Sequence, residues 1–412
     1  MSTPADIPFD GTATAPRVLT RSRAETPTAA ACYTSVDVTT RDAILDLKDA
    51  WQRLEQISEG SAVFQSFDLC LPWLDAYVFG EAPTHQAHVL AFYNQAGAMI
   101  ALAPFAQKIS GLVSMAEWIG DPLVQYGDIL MDPAADRKAL RTVLSDVLGS
   151  WRVGGMHLRN VREDSRIAQV LDLSTTAVGE AREAALADFT QFDDVEGYFA
   201  TFSKRSKKNR KTKRRKLAEK GELSFDVVKA GPEGAEYCAL ALKWKIAWLA
   251  ERGLSSRAFM DSRALAALQD ACGRESDHNP IHLFIQRLNG EPVAIEVGLL
   301  GPLGNAAFMG TYDPAYETLS AGKVQMESSV IHGFDEGWAG YDMLAPMSEY
   351  KLSWSNRTVG VADHIIPSGM LGMIYRDGYL RGARPLMKKI WNALPASLRT
   401  MALRKGGGLA AL

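Results

Sequence analysis

Late in the chain, residues able to move protons fall close together: Asp342, then Glu349-Tyr350-Lys351 beside Trp354. A phenol can protonate a leaving thiolate, a carboxylate can take a proton from an attacking amine or hydroxyl, and an ammonium can hold a phosphate. The same side chains would also serve as interface ion pairs, with Tyr350 packed in a core. Glu296 is a further acid, in the apolar run Ala294–Leu299. Strand alternation sets it opposite Ile295 and Val297, so it faces solvent or a cleft if the apolar pair faces the core. Between these acids lies Ser320-Ala321-Gly322-Lys323, at a strand-to-helix junction. A glycine there lets backbone N–H groups and the helix N-terminus face an anion such as a donor pyrophosphate; it also permits a plain tight turn. Ser320, Gly322 and Lys323 are the candidate donor-binding residues.

Charge is very unevenly spread. Eleven Lys/Arg and one acid, Glu219, fall between Ser203 and Lys220, which leaves −13 on the rest of a chain whose net charge is −3. So many cations on one helix repel each other unless an anion relieves them. Lys207, Lys208, Arg210 and Arg214 are the candidate anion ligands. The anion could be a phosphate-bearing donor, an RNA acceptor stem, a lipid-linked sugar pyrophosphate or an anionic membrane; a solvated face balanced by acids elsewhere is the alternative. A second basic stretch, 368–405, has eight Lys/Arg against one Asp. Its Arg376, Arg381, Arg384, Lys388 and Lys389 alternate with Leu380, Leu386, Ile390, Trp391 and Leu394. That pattern suits an anionic membrane surface or the phosphates of a signalling nucleotide; an apolar side that simply packs on the second domain is the alternative.

The elements that must position these groups read as two α/β halves. In the first, a strand at Tyr33–Val38 precedes a helix bearing Ile44, Leu47, Trp51 and Leu54, and a second helix spans Asp68–Tyr77. A hairpin (HVLAFYN, a turn at Asn94–Gly97, AMIALAPFAQK), a strand at Gly127–Met131, a helix at Ala134–Leu148 and a strand at Met156–Asn160 follow. The second half repeats the rhythm: the basic helix 204–220, a strand at Leu223–Val228, and helices over 233–252 and 261–272. A hairpin turning at Asn289-Gly290-Glu291, a strand to Tyr312, a helix over 322–336, and strands at Tyr341–Leu344 and Val359–Ile366 complete it. The expected division is a disordered leader over 1–32, domains over 33–190 and 191–368, and a basic amphipathic tail over 369–412. At 412 residues, two cores are the expectation.

Other chemistries find little support. Gly298, Gly301 and Gly304 precede no helix, as a dinucleotide fingerprint requires, and no G-x-S-x-G elbow is present. His85 and His88 lack a third ligand, so no metal is expected. Cys32, Cys70, Cys238 and Cys272 form no C-x-x-C pair, the first residues lack a signal-peptide pattern, and no apolar run is long enough to span a bilayer. The expected location is the cytoplasm, with the tail allowing a place at the periphery of the inner membrane.

The order T-Y-D-P-x-Y, S-A-G-K, H-G-F-D-E-G, Y-D-M-L and E-Y-K-L-S-W, within residues 311–354, resembles the C-terminal signature of the GNAT-type acetyltransferases related to the CelD cellulose-biosynthesis protein. These are similar in turn to the FemAB peptidyltransferases. The segment SKRSKKNRKTKRRKLAEKGELSFDVV resembles that family's basic opening helix, and Trp51, Val63-Phe64-Gln65-Ser66 and Trp73 resemble its N-terminal half. Ala321-Gly322 stands where the family has Pro-Gly or similar. The resemblance, over about residues 40–366, implies an α/β (α+β) tandem pair of GNAT-like domains with the donor bound in the second. It also implies acyl transfer from acetyl-CoA, without a metal, to an amine or hydroxyl of a sugar-derived or lipid-linked acceptor in exopolysaccharide biosynthesis. Two alternatives stay open: a FemAB-like transferase drawing on aminoacyl-tRNA, and a non-catalytic effector that binds a nucleotide or membrane.

Overall fold

The computed structural model describes residues 17–18 and 33–393, other than 61, 110–112, 152 and 255. The rest of the 1–32 leader, and the end of the tail from Leu394, lie outside the described residues.

Among the described residues, fourteen strands make one sheet. Those of the first half are β1 (Arg17–Val18), β2 (Thr34–Val38), β3 (His85–Tyr93), β4 (Met99–Lys108), β5 (Ala116–Trp118), β6 (Leu130–Met131), β7 (Gly155–Arg162) and β8 (Ala177–Asp188). The second half adds β9 (Leu223–Lys229), β10 (Ile281–Leu288), β11 (Glu291–Gly301), β12 (Gly304–Tyr312), β13 (Gly340–Asp342) and β14 (Arg357–Pro367). The sheet runs β1-β2-β3-β4-β5-β7-β14-β8-β13-β12-β11-β10-β9, with β6 on β4. The last strand of the chain therefore inserts between β7 and β8, and β8 in turn carries the edge on which β13 pairs. This exchange makes the two halves one continuous sheet.

Both hairpins form at the turns read from sequence. Asn94 accepts from the backbone N–H of Ala96 and Ala98, each at 3.0 Å, and Gly97 has φ +77°. Asn289 and Gly290 both have positive φ, the geometry a two-residue hairpin turn needs. The basic helix runs Lys204–Ala218 and is started by the Ser203 hydroxyl, which accepts from Ser206 N–H at 3.1 Å. The helices Pro232–Glu251 and Ser262–Gly273 cover one face of the second half, and Ala321–Asp335 covers the other.

Apolar packing crosses between the halves. Phe64 and Tyr126 of the first pack with Trp244, Leu268, Val297 and Leu344 of the second, and Phe64 meets Tyr126 edge-on at 5.8 Å. Among the described residues, no helix is long and apolar enough to cross a membrane.

Candidate functional site

β12 and β13 are parallel but pair only through Asn305–Tyr341 and Ala306–Asp342. Beyond that point β13 ends while β12 continues to Tyr312, so the strands part.

The donor-binding candidates follow the far end of β12. Ser320 adopts a left-handed backbone (φ +60°) that turns the chain into the helix Ala321–Asp335, and its hydroxyl does not cap that helix. Gly322 is not in the left-handed region, and it packs closely: a Cβ there would lie 3.1 Å from the Tyr312 ring. Lys323 is exposed on the first turn. Beside it comes Lys213 from the basic helix, whose ammonium is held below its ordinary pKa first by burial and then by the Lys323 charge. Two ammoniums at one helix N-terminus form a strong positive field.

Arg210 docks the basic helix in place. It donates to Glu327 at 2.8 Å and lies 3.3 Å from the centre of the Phe199 ring, with Phe202 and Trp354 also close. Of the four anion-binding candidates it is thus turned inward. Lys207 donates to the Ala200 carbonyl at 2.8 Å, while Lys208 and Arg214 face solvent.

The proton-handling candidates divide by face. Glu296 is enclosed, because both faces of β11 are covered and alternation leaves no open side. Asn305 donates to it at 2.8 Å, Gln325 at 3.2 Å, and the Tyr341 hydroxyl also donates. Burial pushes its carboxyl above the usual range against the pull of these donors. Tyr350, 48% exposed on the short helix Glu349–Leu352, stands near enough that the Glu296 charge adds to burial in raising its phenol. Lys351 donates to the carbonyls of Leu344 (2.9 Å) and Pro346 (3.0 Å), closing the chain that leaves β13. Burial, with the Lys245 charge, lowers its ammonium despite Asp342.

Asp342 belongs to the junction between the halves. Arg162 donates to it at 2.5 Å, the Tyr126 hydroxyl at 3.0 Å and Leu344 N–H at 2.7 Å. Arg162 also grips Asp164 through two bonds at 2.8 and 2.9 Å. Burial raises the Asp342 carboxyl, and the Arg162 charge opposes that. Asp342 and Glu296 are therefore separately enclosed, and neither shares a hydrogen bond with Tyr350 or Lys351.

A cavity of about 250 Å³ lies between the halves, among Glu55, Ser66, Asp277 and His278. It shares Gly60, Val63 and Gly301 with a narrower recess that reaches Arg162, Asn305 and Asp342. Another cavity, about 600 Å³, opens around Arg141, Asp172 and His364, and none of the sequence-selected residues line it.

Residues 204–352 match the acetyltransferase (GNAT) domain family. That span contains the basic helix, the parted strands and every sequence-selected residue. The chain has a tandem GNAT-like fold. FemX shares this fold at a TM-score of 0.55 and 11% identity, over 80% of this chain and 97% of FemX. A conserved protein of unknown function from Bacteroides thetaiotaomicron VPI-5482 is similar at a TM-score of 0.50 and 11% identity, over 78% of this chain and 97% of that one. No curated protein matches. The match to the acetyltransferase (GNAT) domain takes in the parted strands β12 and β13 and the N-terminus of the helix that follows them.

Sequence reading passed over Lys213, Tyr341, Gln325, Arg162 and Tyr126. Lys213 was legible, because it lies three residues from Arg210 and so shares its helix face. Arg162 and Tyr126 lie far from Asp342 in sequence and carried no signal.

Proposed function

We propose that this chain transfers an acyl group from acyl-CoA to an amine or hydroxyl of a sugar-derived acceptor, as exopolysaccharide assembly would require. The observation that carries this reading is the meeting of Lys213 and Lys323 at the N-terminus of the helix Ala321–Asp335, directly after a strand that parts from its neighbour. That arrangement suits a pyrophosphate-bearing donor whose acyl arm enters the gap. The cavity between the halves is the acceptor's side, its narrower recess reaching Asn305 and Asp342 at the paired end of β12 and β13.

In the reaction, the neutral acceptor attacks the thioester carbonyl; a C–N or C–O bond forms and the C–S bond breaks. The acceptor's proton leaves to solvent, and Tyr350 protonates the departing thiolate before recovering a proton from water. Its raised pKa keeps the phenol protonated at neutral pH. Glu296, Asp342 and Lys351 act by position: Glu296 holds Tyr341 beneath Tyr350, Asp342 ties β13 to Arg162, and Lys351 fixes the chain after β13.

One observation favours a second reading. Lys208, Lys211, Arg214, Arg215 and Lys216 are exposed on the helix that supplies Lys213, a wider basic face than a CoA needs. Aminoacyl transfer from charged tRNA would use it. Incubation with labelled acetyl-CoA and a panel of amino sugars, in parallel with charged tRNA, tests the choice. Release of free CoA matched by acetylated sugar is the expected result; label moving only from charged tRNA would overturn the donor assignment.

A further inference from the structure

Residues Gly369–Ala393 form a continuous helical run that leaves the end of β14. Its beginning is fixed to the body rather than free. Leu380 is buried against Met115, Val178 and Ile365. Arg381 donates to the carbonyls of Thr175 (2.8 Å) and Ala177 (3.0 Å). Gly372 lies so close to the Gly154 carbonyl that any side chain would collide with it.

Around these anchors the run exposes an unusual amount of apolar surface. Met370, Leu371, Met373, Ile374, Leu386 and Ile390 are 47–70% exposed. With Tyr379 they make up seven of the fifteen large exposed apolar side chains among the described residues. The same run carries Arg376, Arg381, Arg384, Lys388 and Lys389 against the single acid Asp377. Scattered apolar side chains are ordinary on a soluble surface, but a concentration of them beside basic residues is not.

We propose that this run is a docking surface for an anionic bilayer. Charge selects that occupant: apolar side chains enter the acyl boundary while the basic ones meet anionic headgroups. A nucleotide is a poorer fit, because it would leave Met370, Leu371, Met373, Ile374, Leu386 and Ile390 exposed to water, whereas a bilayer takes up apolar and basic side chains together. Rigid anchoring through Leu380 means that docking holds the two-half body in one orientation to the membrane. An acceptor carried on a lipid would then be presented to the chain without diffusing through water. The docking itself does not depend on which donor is used.

The test uses the full chain with phosphatidylcholine vesicles, with and without phosphatidylglycerol, in a sedimentation assay. The expected result is binding to the phosphatidylglycerol vesicles that weakens with salt. The double variant Leu386→Ser/Ile390→Ser should lose affinity by roughly 100-fold while melting as the parent does, because each side chain buried in the bilayer contributes about a decade of partitioning. Met370→Ser/Leu371→Ser, at the other end of the run, should do the same. The proposal is overturned if the chain stays in the supernatant, if it binds neutral vesicles equally well, or if both double variants bind as the parent does. A concentration-dependent dimer abolished by Leu386→Ser/Ile390→Ser, with no vesicle binding, would instead assign the surface to a second copy of the chain.

Discussion

Replacing Tyr350 by Phe removes one hydroxyl from the site and little else. The ring is 48% exposed on a four-residue helix, so folding stability should change by no more than about 0.5 kcal/mol. If the phenol protonates the leaving thiolate, its loss removes general-acid catalysis, which contributes roughly 100- to 10,000-fold. That range corresponds to about 2.7–5.4 kcal/mol of transition-state stabilisation. The loss should fall on kcat, with KM for the donor nearly unchanged, because the phosphates are held at Lys213 and Lys323. Burial and the Glu296 charge raise the phenol's pKa, so the parent keeps its acid through neutral pH and loses activity only at strongly alkaline pH. The variant should lack that alkaline limb. Steady-state thiol release across pH, with a melting curve for each protein, measures both quantities. A Tyr350→Phe enzyme with kcat within about twofold of the parent at neutral pH would refute the role.

Two further perturbations probe the frame. Asp342→Asn keeps acceptors for Tyr126 and Leu344 but leaves Arg162 short of one buried charge, and a denaturant titration should show a loss of roughly 2–4 kcal/mol. Glu55, whose carboxylate accepts from Phe67 N–H at 2.7 Å, is pushed from 4.5 up to about 8, chiefly by burial. With the folded pKa above the unfolded one, its contribution is complete below about pH 4.5 and drains away as pH rises to about 8. Glu55→Gln should therefore gain stability relative to the parent by a few kcal/mol between pH 5 and pH 8, read from urea midpoints at each pH.

Local chemistry was legible where the sequence dictates it locally. The Asn-Gly turn at 289–290, the Asn94 turn, the Ser203-capped basic helix and the long helices all appear within a few residues of their expected bounds. The strand β8 was not foreseen, because Ala177–Asp188 is rich in Ala and Glu, residues that favour helix. Its four residues Ala184–Ala187 are buried between β13 and β14, and that tertiary pairing overrides propensity. The helical start at Glu349 extends for only four residues. At the candidate site, type and spacing singled out Glu296 and Asp342, which the structure encloses in separate hydrogen-bonded settings. Burial could not be read from alternation, since helices cover both faces of β11 and enclose Glu296. The tail's basic amphipathic pattern was visible, but not the buried Leu380 that fixes it to the sheet.

In the proposed complex an acyl-CoA lies with its phosphates on Lys213 and Lys323. Calorimetric titration of acetyl-CoA into the parent and into Lys213→Ala and Lys323→Ala tests it most directly, since neither substitution disturbs the Gly322–Tyr312 packing. The expected result is saturable binding by the parent and a loss of roughly tenfold or more in each variant, the worth of one charge-assisted hydrogen bond. Equal affinity in all three proteins, or no heat with acetyl-CoA while charged tRNA binds with a steep salt dependence, would contradict it.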